Sequence, residues 1–523
     1  MELNRRTVLA SLGTLGASTL AARPARGQLP PALPIEPTPA PFYGVRGRMT
    51  GAKAAVRALC FEGVRCVYGV PGAHNNEFWD AMKGLGVPYL LVTNEASASI
   101  MADAAARVTG DPGVFAVVPG PGLTNAMTGI GEALHDSVPI VGLVTDILRG
   151  PNAKIGQVHG LPNAAILRTV CKAVLEVQHQ GQIPGTIHQA YRIARSGEPG
   201  PVGIVIPFNF YNEVWDYDCP VPPPWPLVFD EPSYRQALAL LSNKRLRVGI
   251  YAGMGCMDAA SSLAAVAETL QAPVATSVSG KGAISDAHPL AVGWGYGPYG
   301  TKAAEKTFKN VDVVLAVGVK FSEVSTANYA MPKDKQVIHV DANPNNLGRN
   351  LPTCVKVPAD ARLFLDRLLA DASAVRRPPS PALWSQIRDR RAVDRCEYAT
   401  VRVADGVDPM VFLFNLRRAL CAEALIFIDV TAATHWASEG IDVPGPRRYF
   451  TPTNNQAMGW AVPASIGAQR LDPTRQVVSV VGDGCFLMTG LEASTAARSL
   501  LPVKFFILDD GAYHYMQMLQ EPT

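Results

Sequence analysis

The chain reads as an α/β protein of three doubly wound domains, each a parallel sheet with helices on both faces. Three observations predict this. From residue 49 onward, short β-branched apolar runs alternate with segments of helical spacing, as strands buried on both faces and joined by crossover helices require. Two proline-rich breaks, 219–226 (CPVPPPWP) and 371–380, divide the 523 residues into stretches of ordinary domain size. Several predicted strands run straight into Gly/Pro-rich turns, at the edge where open α/β sheets bind ligands.

The first 27 residues stand apart. Asn4-Arg5-Arg6-Thr7-Val8-Leu9 resembles a twin-arginine export signal, followed by a weakly apolar run (8–22) too short to cross a bilayer. Cleavage after Ala25-Arg26-Gly27 would place the mature protein in the periplasm or outside the cell; if the arginine pair is coincidental, the location is cytoplasmic. Residues 28–48 are rich in proline and read as a linker.

Residues 49–215 form the first expected domain. Its expected helices are 51–61, 76–84, 96–109 and 123–134; its strands are 66–70, 89–93, 114–118, 139–145 and a closing 202–207. His74 follows the first of these strands, Glu95 the second, and the turn Pro119-Gly120-Pro121-Gly122 the third. Residues 230–370 form a second α/β domain, with strands 246–252, 274–277, 311–317 and 336–341. Gly253-Met254-Gly255 lacks the third glycine of a dinucleotide site.

The third domain spans 382–523, with helices near 382–391, 409–421 and 457–469 and a strand at 424–430. Its centre is 477–510. Strand 477–481 ends in Gly482-Asp483-Gly484, helical spacing follows over 486–499, and strand 503–508 ends in Asp509-Asp510. Asp483 and Asp510 should therefore reach one edge of two parallel strands, where two oxygen ligands beside a Gly-lined turn suit a Mg²⁺–diphosphate. The sequence stops 13 residues after Asp510, so the domain reads as truncated.

Composition excludes several classes. The content is 48% hydrophobic and 17% charged, with mean hydropathy +0.10, as a filled globular interior requires. A net charge of +3 without a basic, aromatic-laced cluster argues against nucleic acid. There is no second membrane-type segment. Nine scattered cysteines without a CxxC pair indicate neither a zinc site nor a disulfide framework.

These motifs, in this order, resemble those of thiamine-diphosphate (ThDP) enzymes. The GDG turn and the acid 27 residues beyond it match the family's metal motif, with Asp510 where an Asn is usual. NEASASIMADAAARVTG resembles the segment that holds the family's glutamate. PGPGLTNAMTGIGEALHDSVPIVGLVTD is similar to the acetolactate synthase segment, and Asn455–Ala464 to the stretch that keeps the cofactor bent.

The resemblance implies ThDP and Mg²⁺ as cofactors. Glu95 would hydrogen-bond the aminopyrimidine, with the Gln456 carbonyl and Met458 holding the ring and Gly120, Asn125, Gly482, Asp483 and Gly484 around the coenzyme. Asp483, Asp510 and Ala512 would hold the metal. It also implies active sites made between chains, hence a homodimer or homotetramer.

The implied activity is decarboxylation of a 2-oxo acid and the making or cleaving of a C–C bond. Pro71-Gly72-Ala73-His74 resembles benzaldehyde lyase, which makes cleavage of a 2-hydroxy ketone the alternative, with His74 handling protons. A truncated, non-catalytic relative is a further alternative. The segment that meets flavin and substrate in the synthases here reads Val319-Lys320-Phe321-Ser322-Glu323 and gives FAD no support.

Overall fold

The structure, a computed structural model, describes residues 44–400, 406–430 and 432–520. The export signal and its cleavage point lie outside the described residues. Three parallel sheets follow one another along the chain.

The first sheet has six strands, in the spatial order Tyr89–Leu91, Val67–Gly69, Gly113–Val117, Ile140–Asp146, Val202–Pro207, Ala173–Glu176. The chain steps outward from Val67–Gly69 to Tyr89–Leu91, then returns to the other side at Gly113–Val117. The loops leaving these strands therefore diverge and open a crevice at the carboxyl edge. His74, Glu95 and Gly120 come from those three loops.

Three strands here escaped the sequence pattern, as did the helix Ile183–Arg195. Ala173–Glu176 is a half-exposed edge strand, so Val202–Pro207 lies inside the sheet rather than closing it. Val45–Thr50 begins within the stretch read as linker and pairs antiparallel with Val214–Cys219. Only Val45 and Met49 of that first strand are buried, so it carries no readable alternation.

The second sheet also has six strands, in the order Ala291–Trp294, Val274–Thr276, Val248–Ala252, Val313–Val317, Gln336–Asp341, Val355–Pro358. Both edge strands, four residues each, are too short to show a period. The Gly253-Met254-Gly255 fragment serves backbone packing. A Cβ on Gly253 would fall 1.9 Å from the Gly318 carbonyl oxygen, and Gly255 N donates to that same oxygen at 3.2 Å.

This domain is latched to the first by Glu198, which meets Lys320 Nζ at 2.5 Å and accepts from Ser137 Oγ and Asn343 Nδ2. Burial alone would raise the Glu198 carboxyl, but the Lys320 ammonium and these hydrogen bonds outweigh it and hold it at about 2. Lys320 also donates to the His135 carbonyl, so it serves as a fastening.

The third sheet shows four strands among the described residues, in the order Tyr449–Phe450, Leu425–Ile428, Val477–Gly482, Lys504–Leu508. The helix expected over 486–499 is broken into Asp483–Thr489, a 3₁₀ turn Gly490–Glu492 and Ala493–Arg498. Tertiary bonds impose the break. Thr489 Oγ1 donates to the Gly459 carbonyl, and Glu492 accepts from the backbone N and hydroxyl of Thr93.

The third sheet packs on the first through the helices Glu95–Thr109 and Ala461–Leu471. Residues 97–107 of the former are buried throughout, which explains its run of Ala and Ser. Small side chains let helices cross closely: a Cβ on Gly467 would lie 2.7 Å from Met101 Cβ, and one on Gly129 2.3 Å from Ser99 Oγ. A single apolar cluster, including Leu123, Ala126, Val462, Ile466 and Cys485, joins the two domains.

Candidate active site

Glu95 opens its helix, but the cap is Asn94, whose side chain accepts from Ala96 N at 2.8 Å. The Glu95 carboxylate is thus free of the capping duty that would otherwise explain it. Its Oε2 accepts from Asn125 Nδ2 at 3.1 Å, which ties together two residues 30 positions apart. The Pro119–Gly122 turn lies alongside: a Cβ on Gly122 would stand 3.6 Å from Glu95 Oε1.

Gly120 has φ +63°, a left-handed conformation that glycine adopts without strain. Its N–H donates to Asn163 Oδ1, and Asn163 Nδ2 donates to Asp146 Oδ1, so the turn hangs from the end of the next strand. Arg149 closes this chain on Asp146 at 2.7 Å.

His74 lies in the same crevice. Its ring centroid is 5.2 Å from that of His159 and 5.3 Å from Phe208, the latter edge-on. Burial, then the neighbouring His159, hold the His74 imidazole below its ordinary pKa despite the opposing pull of Asp146.

The stretch 451–461 is held from both sides. From the first domain, Asp136 accepts from the backbone N of Thr453 and Asn454, and Glu132 Oε2 accepts from Ala457 N at 3.0 Å. Both carboxylates belong to a buried cluster around Arg107, which pairs with Asp103 at 2.8 Å and Asp136 at 2.9 Å. Trp460 Nε1 donates to Asp103. Three acids around one cation leave an excess of negative charge, and burial drives the Glu132 carboxyl well above its usual range.

From the third domain, fully buried Asp429 accepts from the backbone N of Gly459 and Ala461. Burial lifts its carboxyl to about 6, against these bonds. Between the clamps, Gln456 sits at φ +54° and Gly459 at φ +84°. These left-handed residues explain why the helix starts at Ala461 rather than at 457. Gln456 is exposed and Met458 half-buried against the interdomain cluster.

Gly482 pairs in register with Leu508, so Asp483 and Asp509-Asp510 leave neighbouring parallel strands side by side. Gly484 is crowded: a Cβ there would meet Tyr513 Cε1 at 2.7 Å. Asp510 is exposed and accepts from Ala512 N at 3.2 Å. Among the described residues no group of three or more His, Cys, Asp or Glu side chains could hold a metal. The register instead brings Asp483 and Asp510 to one sheet edge, and carboxylate oxygens are the donors a hard cation takes.

Sequence reasoning missed Asp429, Phe208 and the pairing within the Arg107 cluster. The cluster's residues lie within the quoted glutamate and synthase-like segments, but no spacing in those segments marks which distant groups meet.

Family models for the thiamine pyrophosphate enzymes match in three places: the N-terminal TPP binding domain at residues 49–162, the central domain at 234–368 and the C-terminal TPP binding domain at 429–523. The chain belongs to this family of thiamine-diphosphate-dependent enzymes and is acetolactate synthase-like. It is 32% identical over 495 residues to the acetolactate synthase isozyme 3 large subunit of Escherichia coli, covering 90% of this chain and 84% of that protein. A probable acetolactate synthase large subunit of Methanocaldococcus jannaschii is 30% identical over 489 residues (88% and 80%). A probable 2-ketoarginine decarboxylase of Pseudomonas aeruginosa is 31% identical over 474 residues (86% and 80%).

Among the described residues no helix is long and apolar enough to cross a membrane. All nine cysteines are free thiols.

Proposed function

We propose that this chain is a ThDP- and Mg²⁺-dependent enzyme that decarboxylates a 2-oxo acid and makes or cleaves a C–C bond at the carbon so activated. When bound, thiamine diphosphate supplies the carbon nucleophile and the electron sink. The chain's residues bind and orient it. Glu95, held by Asn125, would take the aminopyrimidine edge, and the Gln456 carbonyl and Met458, fixed by the two carboxylate clamps, would hold the same ring. Asp483, Asp510 and Ala512 would carry Mg²⁺ at the diphosphate.

The observation that carries this reading is Glu95: a carboxylate at a helix start that leaves the cap to Asn94 and is steadied by a side chain from the next loop. Support for a homodimer or larger comes from the apolar side chains standing free beside the GDG turn. Leu487 is 83% and Leu491 88% exposed.

His74 favours a second reading, cleavage of a 2-hydroxy ketone without decarboxylation. The test adds ThDP and Mg²⁺ to the full chain and screens 2-oxo acids for CO₂ release and 2-hydroxy ketones for aldehyde release. Glu95→Gln should lower turnover about 1,000-fold while ThDP still binds. A glutamine variant as active as the parent rejects the assignment.

A further inference from the structure

We propose that His159 is a second proton-transfer residue, acting as one unit with His74 in a notch that receives the reacting oxygen of a 2-hydroxy ketone or of the carbonyl compound it is made from. This rests on the functional reading above and deepens it.

Four observations on the two rings converge. The centroids are 5.2 Å apart and the planes tilted by 36°. Nδ1 of His74 and Nδ1 of His159 are both buried and have no hydrogen-bond partner. Buried polar atoms are nearly always satisfied, so two orphans on adjoining imidazoles leave room for an outside donor or acceptor. Phe208 stands edge-on to His74, walling one side with apolar surface.

The backbone of His159 is held at φ +64°, a strained conformation for a residue with a Cβ. Local bonds enforce it. The His159 carbonyl accepts from Leu161 N at 2.8 Å, and Gln157 clamps Leu148 through both its amide groups.

The notch adjoins the Glu95 side of the crevice. A Cβ on Gly120 would sit 3.0 Å from His159 Cα, and Gly122, two residues on, faces Glu95 Oε1. Gly120 thus seats the His159 backbone against the turn that flanks the glutamate. Asp146, whose charge acts on His74, is locked in an ion pair with Arg149 at 2.7 Å, so that arginine is already committed. That environment fits a neutral oxygen with an apolar substituent.

The chemistry balances on one proton. In cleavage, the substrate O–H bond breaks as an imidazole N–H bond forms, and the electron pair of the O–H bond becomes the second bond of the carbonyl. The pair of the breaking C–C bond stays with the acyl carbon, for which thiamine diphosphate, when bound, would supply the electron sink. In ligation the proton returns to oxygen. Two adjoining imidazoles suit this transfer, because a neutral imidazole carries one N–H that can donate to the oxygen and one lone pair that can accept.

The test has two arms. In the holoenzyme with ThDP and Mg²⁺, acetoin cleavage is followed for His159→Gln, His74→Ala and the double variant. Each single change should lower kcat about 100-fold with ThDP affinity unchanged, and the double variant should be no worse than the singles, as for residues acting as a unit. In the second arm the His74 imidazole is titrated by NMR in the protein without cofactor. Its midpoint should move to higher pH in His159→Gln, because the neighbouring ring is one cause of its depression.

An unchanged kcat in His159→Gln, multiplicative losses in the double variant or an unmoved His74 titration each overturn the pairing. A parent protein that binds ThDP but turns over neither 2-oxo acids nor 2-hydroxy ketones overturns the functional reading instead, and the titration then decides the pair alone.

Discussion

The carboxyl edges of the first and third sheets carry the two halves of the candidate site, and they are built differently. At the first, the strands Val67–Gly69 and Gly113–Val117 are buried throughout, the Gly120 turn hangs from buried Asn163, and Asp136 and Glu132 reach across to hold the 453–457 backbone. At the third, the edge strand Lys504–Leu508 is largely uncovered, with Ile507 44% exposed, and Asp510 bonds only within its own turn. A site half that orients an uncharged ring needs rigidity before the ligand arrives. On the proposed function, the third-sheet half would hold a metal and a diphosphate and gain much of its order from their charge.

The contrast can be tested. The largest effect is expected at Asp136. Removing it as Asp136→Ala leaves the backbone N–H groups of Thr453 and Asn454 without their acceptor and takes one of two hydrogen-bonded acids from buried Arg107, and should cost about 3–5 kcal/mol in denaturant unfolding. A loss under about 1 kcal/mol would mean that the cluster does not hold the first half together.

Next comes Asp483→Asn. Stability without cofactor should stay within about 0.5 kcal/mol of the parent, because the side chain is only half-buried, while the ThDP dissociation constant in Mg²⁺ should rise about 100-fold. Calorimetry checks this, and a loss of fold stability as large as that of Asp136→Ala would erase the distinction.

The smallest effect on stability is expected at Leu491→Glu, again within about 0.5 kcal/mol. Sedimentation should nonetheless show more monomer than in the parent, because the charge falls on the exposed apolar surface beside the GDG turn. An unaltered association state would remove that surface from the interface.

The comparison also sorts what could be read in advance. Strands such as Ile140–Asp146 and Val477–Gly482 announced themselves because each is an apolar run followed by a turn or helix signal. Val355–Pro358 did not, because its four residues alternate too briefly. Glu95, Asp483 and Gly120 could be named as candidates because each follows a strand end, which local sequence records. The contacts of His159 and Asp429 could not: one packs on a glycine 39 residues earlier, the other accepts from N–H groups about 30 residues later.

The sequence by itself determined three parallel sheets, the strand ends that hold the candidate residues and the family to which the chain belongs, because apolar period and glycine-marked turns are local properties. Only the tertiary structure decided that Asn94 frees Glu95 from the cap, that a buried arginine and three acids join the first domain to the third, and that two histidines from separate loops face each other. Those facts depend on which distant groups must satisfy one another's hydrogen bonds and charges once water is excluded, and no window of sequence contains both partners.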